Sequence, residues 1–192
     1  MSSILELREA RERAMHWSVD NYVQFGEMLS EHGVLPKRAE LIRGIIIEKM
    51  PKSPLHVRLT KWLYDLLFEQ APDGCLVFQE GPLQLHTSVS EPDVMIVPGG
   101  KTEFDDKHPT KALLVVEVAV SSVTLEREYA SMYAEAGVPE YWIVLAEDKL
   151  VEVRRRPVNG VYQDVRSYHR QEELHCESVA AVNVPLTRLF LP

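Results

Sequence analysis

"LLVVEVAVSS", Leu113–Ser122, is the stretch on which the fold turns. It is a short apolar run rich in β-branched residues, the signature of a strand buried on both faces. Yet Glu117 stands in its middle. A buried carboxylate is costly unless it is paired, hydrogen-bonded or bound to a metal. Left alone, it raises its pKa and takes up a proton. The position of Glu117 is therefore a chemical question as well as a structural one.

A second acid sharpens it. "SEPDVMIV", Ser90–Val97, places Asp93 at the mouth of another apolar strand. If the two strands are neighbours, the carboxylates of Asp93 and Glu117 converge. Like charges a few ångströms apart do not both stay ionised without a cation. Two carboxylates, waters and a backbone carbonyl make a Mg²⁺ site. Such a site serves phosphate esters, where the metal activates water and neutralises developing charge.

Around these strands the chain alternates. Residues 3–17 read as a charged N-terminal helix with Ile4, Leu7, Ala14 and Met15 on one side. Ser18 suits the cap of a second helix, "SVDNYVQFGEMLSEHG", ending at Gly33. "AELIRGIIIEKM", Ala39–Met50, reads as a hairpin around Arg43-Gly44. After Pro51 and Pro54, a helix near Leu55–Gln70 carries Leu59, Trp62, Leu63, Leu66 and Leu67 at helical spacing. "CLVFQE", "PLQLH" and "PDVMIV" follow as strands. Beyond the opening stretch, "TLEREYASMYAEAG" is a helix with Thr124 as N-cap and Gly137 just past its end. Leu125, Tyr129, Met132, Tyr133 and Ala136 share its apolar face. "EYWIVL" is a strand, and "LVEVRRR" and "YQDVRSY" pair around "PVNG". The tail "VNVPLTRLF" is short and apolar. The pattern predicts an α/β domain with a mixed sheet.

The composition sets outer bounds. A chain of 192 residues suits one domain with a helical appendage. No apolar run approaches a membrane span, and the start, mixing both charges, is not a secretory signal. Cys75 and Cys176 lack metal-type spacing and read as reduced thiols of a cytoplasmic protein. The net charge of −8 argues against a dedicated nucleic-acid coat, while leaving room for a local basic groove.

"PD" at Pro92-Asp93 followed by "EVA" at Glu117–Ala119 resembles the PD-(D/E)XK nuclease superfamily. "AELIRGIIIEKMPKSPLH", "EPDVMIV", "VVEVAVSS" and "YAEAGVPEYWIV" look like the restriction-endonuclease-like proteins within it. The resemblance runs from about Tyr22 to Phe190. It implies a restriction-endonuclease-like mixed β-sheet core flanked by helices over residues 22–192, with residues 1–21 as an N-terminal helical extension. It also implies a divalent metal (Mg²⁺ or Mn²⁺), nucleic acid, chiefly DNA, as substrate, and a homodimer. Asp93 and Glu117 match the metal-binding acids, Glu40 matches an additional acidic position, and the Val118 carbonyl becomes a metal ligand.

One departure bears on activity. The superfamily's short motif has lysine where this chain has Ala119. The close relatives carry a lysine at the end of an acid–Arg–Glu–Lys run, and here that run is Glu126, Arg127, Glu128, Tyr129. A phenol donates one hydrogen bond but brings no positive charge. Lys111 is about 20 Å away along its strand, and Arg127 points off the Tyr129 face. Lys52 and His56 are the first replacements to look for.

Plainer readings stand beside these. Tyr129 suits a core aromatic, and Glu40 a hairpin surface acid. Arg154, Arg155 and Arg156 suit either a solvated strand edge or a DNA contact. His16, His32, His86, His169 and His175 show no ligand spacing. The functional expectation is a metal-dependent endonuclease, with a catalytically silent nuclease scaffold for nucleic-acid binding or assembly as the alternative.

Overall fold

A computed structural model describes residues 15–36, 38–120 and 123–191. The predicted helix 3–17 falls mostly outside that range, and Met15, His16 and Trp17 are irregular rather than helical. The chain divides into two compact units. One comprises the residues up to Lys49 with His86–Ser90; the other comprises Met50–Leu85 and Glu91–Pro192.

In the first unit, α1 (Val19–Glu31) begins as expected at Ser18, whose hydroxyl accepts the Asn21 N–H. Gly33 lies just beyond its end at φ +71°. The hairpin of β1 (Ala39–Ile42) and β2 (Ile45–Glu48) turns at Arg43 and Gly44, both at positive φ. That is the two-residue turn matching strand twist. The Tyr22 hydroxyl ties α1 to Ala39 at 2.6 Å. Glu40, for which a hairpin surface acid was the plainer of two readings, is only 2 % exposed and pairs with Lys49 at 3.2 Å.

The second unit contains the sheet. Ser53 caps α2 (Pro54–Gln70), and Pro54 occupies its first turn, where a missing N–H is harmless. β3 (Cys75–Gln79) follows. β4 is shorter than expected, Leu83–Gln84. The two-residue β5 (Val89–Ser90) belongs to the first unit and pairs with β1. Then come β6 (Val94–Pro98), β7 (Leu114–Ala119), α3 (Thr124–Glu135), β8 (Glu140–Leu145), β9 (Leu150–Val158) and β10 (Val161–His169). β11 (Glu173–His175), β12 (Asn183–Pro185) and the one-turn α4 (Leu186–Leu189) complete the chain. The six-stranded order is β10-β9-β8-β7-β6-β3. Only β7 and β8 run parallel, joined by α3 as a parallel connection requires.

Strand alternation assigns the two faces. Leu59, Leu63, Leu66 and Leu67 of α2 pack on Val94, Ile96, Val116, Val118, Trp142 and Val144. The opposite side chains of β7 and β8, Glu117 and Tyr141 among them, face α3, where Tyr133 meets both. Two expectations for α3 need correction. Its N-cap is Val123 and makes no side-chain bond, so Thr124 is the first helical residue; Leu125 is 45 % exposed. The far end is as read: Gly137 at φ +73° bonds Ala134, and Val138 bonds Tyr133, a Schellman motif.

The arginine run also needs correction. β9 is an interior strand between β8 and β10, not an edge. Arg155 is 4 % exposed and bonds Glu140 at 2.8 Å, Glu177 at 3.1 Å and the Tyr168 hydroxyl. Glu140 also accepts the Trp142 indole N–H and the N–H groups of Glu177 and Ser178. Arg154 is held by Glu152. Both cysteines are free thiols; burial pushes the Cys176 thiol up to about 12, where it is unreactive.

Glu140→Ala should cost about 3–5 kcal/mol in urea unfolding, because it leaves Arg155 buried without its counter-charge. A loss under about 1 kcal/mol would show that Glu177 and Tyr168 suffice.

Candidate functional site

The site is built where β6 begins and β7 ends. Asp93 sits in a bend just before β6, its side chain turned inward and 3 % exposed. The Val118 N–H donates to Asp93 Oδ2 at 2.8 Å. The peptide joining Glu117 to Val118 therefore lies directly against the Asp93 carboxylate. The two acids singled out in the sequence do come from neighbouring strands, with Val94 opposite Val116.

Two basic side chains reach the same carboxylate. Lys52 Nζ is 2.6 Å from Oδ1 and 3.1 Å from Glu80 Oε1. His56 Nε2 donates to Oδ2 at 3.0 Å, and the Thr60 hydroxyl, one turn along α2, stands 3.4 Å from its Nδ1. Local sequence explains the placement. Ser53 accepts the His56 N–H at 3.2 Å, so the cap that starts α2 also fixes His56 in the first turn. Burial by itself would raise the Asp93 pKa. The hydrogen bond and charge of His56, then those of Lys52, outweigh it and hold the carboxyl down at about 2. Asp93 is thus ionised throughout the neutral range.

Glu117 is 6 % exposed and accepts the Tyr133 hydroxyl at 3.0 Å. The Tyr133 ring lies 4.9 Å from that of Tyr141, and the Tyr141 hydroxyl donates to the backbone oxygen of Glu126 at 2.8 Å. Sequence reasoning missed Glu126 as a member of this group; its only local signal was an acid in the first turn of a helix. Its Oε2 is shielded from water and has no hydrogen-bond partner. Burial raises its pKa, its own backbone bond opposes, and the nearby Asp93 charge raises it further against His56.

Tyr129 is buried, its ring edge-on to Tyr133 at 6.4 Å. Arg127 leaves that face, as expected, and pairs with Glu152 at 3.0 Å. Glu40 lies in the other compact unit.

Among the described residues, no three His, Cys, Asp or Glu side chains form a ready metal cage. The donor chemistry nevertheless fits a hard divalent ion. The oxygen donors are Asp93, which meets Lys52 and His56, and Glu117 and Glu126 on the α3 side. Mg²⁺ commonly takes one or two carboxylates and keeps much of its own water.

A mixed sheet with acids at the junction of two central strands, flanked by a helix on each face, is a restriction-endonuclease-like arrangement. It resembles the crystal structure of "a putative nuclease belonging to DUF820" from Anabaena variabilis ATCC 29413, with a TM-score of 0.73. The likeness covers 91 % of this chain and 97 % of that one at 15 % identity, which establishes shared fold. No curated protein matches the sequence. Residues 28–187 match the Uma2 family, described as "Putative restriction endonuclease", and the chain belongs to that family. No helix among the described residues is long and apolar enough to cross a membrane.

The low pKa of Asp93 carries a sign. A depressed folded-state pKa gives stability that is present above the ordinary 3.8 and is lost as pH falls toward about 2. Asp93→Asn should remove about 2 kcal/mol of this acid-side dependence, seen as a flatter stability profile below about pH 4. An unaltered profile would mean that Lys52 and His56 do not hold the charge.

Proposed function

We propose that the protein is a divalent-metal-dependent nuclease acting on nucleic-acid phosphodiesters, DNA foremost. Asp93, Glu117 and the Val118 carbonyl hold the ion, Mg²⁺ or Mn²⁺. The observation that supports this reading is the Val118 N–H bonded to Asp93, which brings the Asp93 carboxylate against the peptide that joins Glu117 to Val118. The bound metal would supply an activated water and neutralise charge on the phosphate.

The remaining work falls to side chains. Asp93 stays ionised at neutral pH and so remains a ligand. Lys52 is the cation nearest Asp93, and its ammonium supplies the positive charge that Ala119 and Tyr129 do not. It can donate to a phosphate oxygen while Glu80 restrains it. His56 orients Asp93 from the other oxygen. Tyr133 fixes the Glu117 carboxylate through its hydroxyl. Glu40 matches the additional acid that the family resemblance assigns, and Tyr129 lines the α3 side as a neutral donor.

A second reading is favoured by the same contacts. Lys52 and His56 already satisfy Asp93, and Tyr129 stands at the motif's lysine position. A catalytically silent scaffold for nucleic-acid binding or assembly would look like this too.

Cleavage of plasmid and single-stranded DNA in Mn²⁺ separates the two. The nuclease reading expects turnover that falls on the order of a thousandfold in Glu117→Ala, and a smaller loss in Lys52→Met. Silent wild type, with cleavage appearing in Tyr129→Lys, would establish the scaffold reading instead.

A further inference from the structure

The two oxygens of Asp93 are held unequally. Oδ2 meets the Val118 N–H at 2.8 Å and the His56 ring at 3.0 Å. Both partners sit on rigid elements, one on β7 and the other in the capped first turn of α2. Oδ1 meets the Lys52 ammonium at 2.6 Å. Lys52 precedes the Ser53 cap and reaches Asp93 on a flexible four-carbon stem. Oδ1 is therefore the oxygen that can change partners.

A divalent ion bound to Oδ1 would lie about 2 Å from it. Lys52 cannot then keep its place. Two positive centres on one oxygen stand only a few ångströms apart and repel. Nor can the ammonium simply be released, because the Lys52 side chain is only 10 % exposed and an unpaired buried charge is costly.

Glu80 meets that need. Its Oε1 is 3.1 Å from Lys52 Nζ, and its side chain is 41 % exposed against 5 % for Asp93. Lys52 thus bridges a buried acid and a solvated one. An ammonium has three donors, so it can leave one acid while keeping the other. The backbone fixes Glu80 for this role. It follows β3, and its N–H donates to the Asp93 carbonyl at 3.2 Å. Its φ is +54°, a conformation that glycine adopts freely and other residues seldom do. A half-exposed ion pair adds little stability. Pairing alone therefore does not offset the backbone strain of a glutamate at this position.

We propose that Glu80 is a positioning residue that takes Lys52 from Asp93 when a divalent ion binds, leaving the ammonium beside the ion instead of on its ligand. This rests on the reading of Asp93 as a metal ligand. Glu80 touches neither ion nor phosphate and acts only through Lys52. It lowers the barrier that Lys52 sets to metal uptake, and it keeps a positive charge within reach of the phosphate.

The test is Mn²⁺ binding to the full chain without nucleic acid, by calorimetry or electron paramagnetic resonance. Lys52→Met removes the competitor and should tighten Mn²⁺ several-fold. Glu80→Gln leaves Lys52 with Asp93 alone and should weaken Mn²⁺ by about tenfold or more. In the double variant the Glu80 effect should vanish, because no ammonium remains to be moved. Circular dichroism checks folding, and Lys52→Gln, which keeps a donor to Asp93, replaces Lys52→Met should the latter unfold. A Glu80→Gln loss of equal size with and without Lys52 would show bulk charge alone and overturn the proposal, as would no loss at all. Mn²⁺ binding that survives Glu117→Ala, or is absent from every form, would instead overturn the metal site itself, and this role with it.

Discussion

The Asp93 carboxylate is the constraint on which the second compact unit depends. It is buried and ionised, so it must be met by donors, and no neighbour in sequence supplies them. Lys52 and His56 come from the start of α2, and the Val118 N–H comes from β7. One charge thereby fixes a helix N-terminus against the junction of two strands. The local chemistry of α2 serves the same end, since the Ser53 cap and Pro54 set where the first turn begins and hence where His56 points. The arrangement carries a tension. Lys52 and His56, which make the buried charge tolerable, are also the groups with which the proposed metal would share it.

The sheet acts as a partition around this point. Alternation along β7 sends Val116 and Val118 to the α2 side and Glu117 to the α3 side. The Glu117–Val118 peptide thus belongs to both, touching Asp93 through its N–H while carrying Glu117 toward Tyr133. Tyr133 and Tyr141, their rings tilted against each other, extend the α3 side to Glu126. The hydroxyls of Tyr133 and Tyr141 hold this side together without adding positive charge to it.

Much of this was readable in advance. The strands β6, β7 and β8, both long helices, the Asn159-Gly160 turn and the Gly137 stop each carry a local signal. Asp93 and Glu117 stood out because acids are conspicuous in apolar strands. Other features had no such mark. Arg155 looked like part of a solvated edge because its composition is that of one. It is buried because β10 covers β9 and because Glu140, distant in sequence, lies opposite it. Thr124 looked like a cap, but the helix starts at Thr124 itself. Glu126 was an ordinary first-turn acid until burial left one of its oxygens without a partner.

The sequence by itself determined the longer helices and strands, their order and the identity of the acids, because turn chemistry, capping and apolar periodicity act over a few residues. Only the tertiary structure decided which cations meet Asp93, where Tyr129 and Glu126 sit, and which strand is left as the open edge. Electrostatic pairing and strand adjacency are set by distances in space between segments far apart along the chain. No local pattern encodes those distances until the sheet has formed.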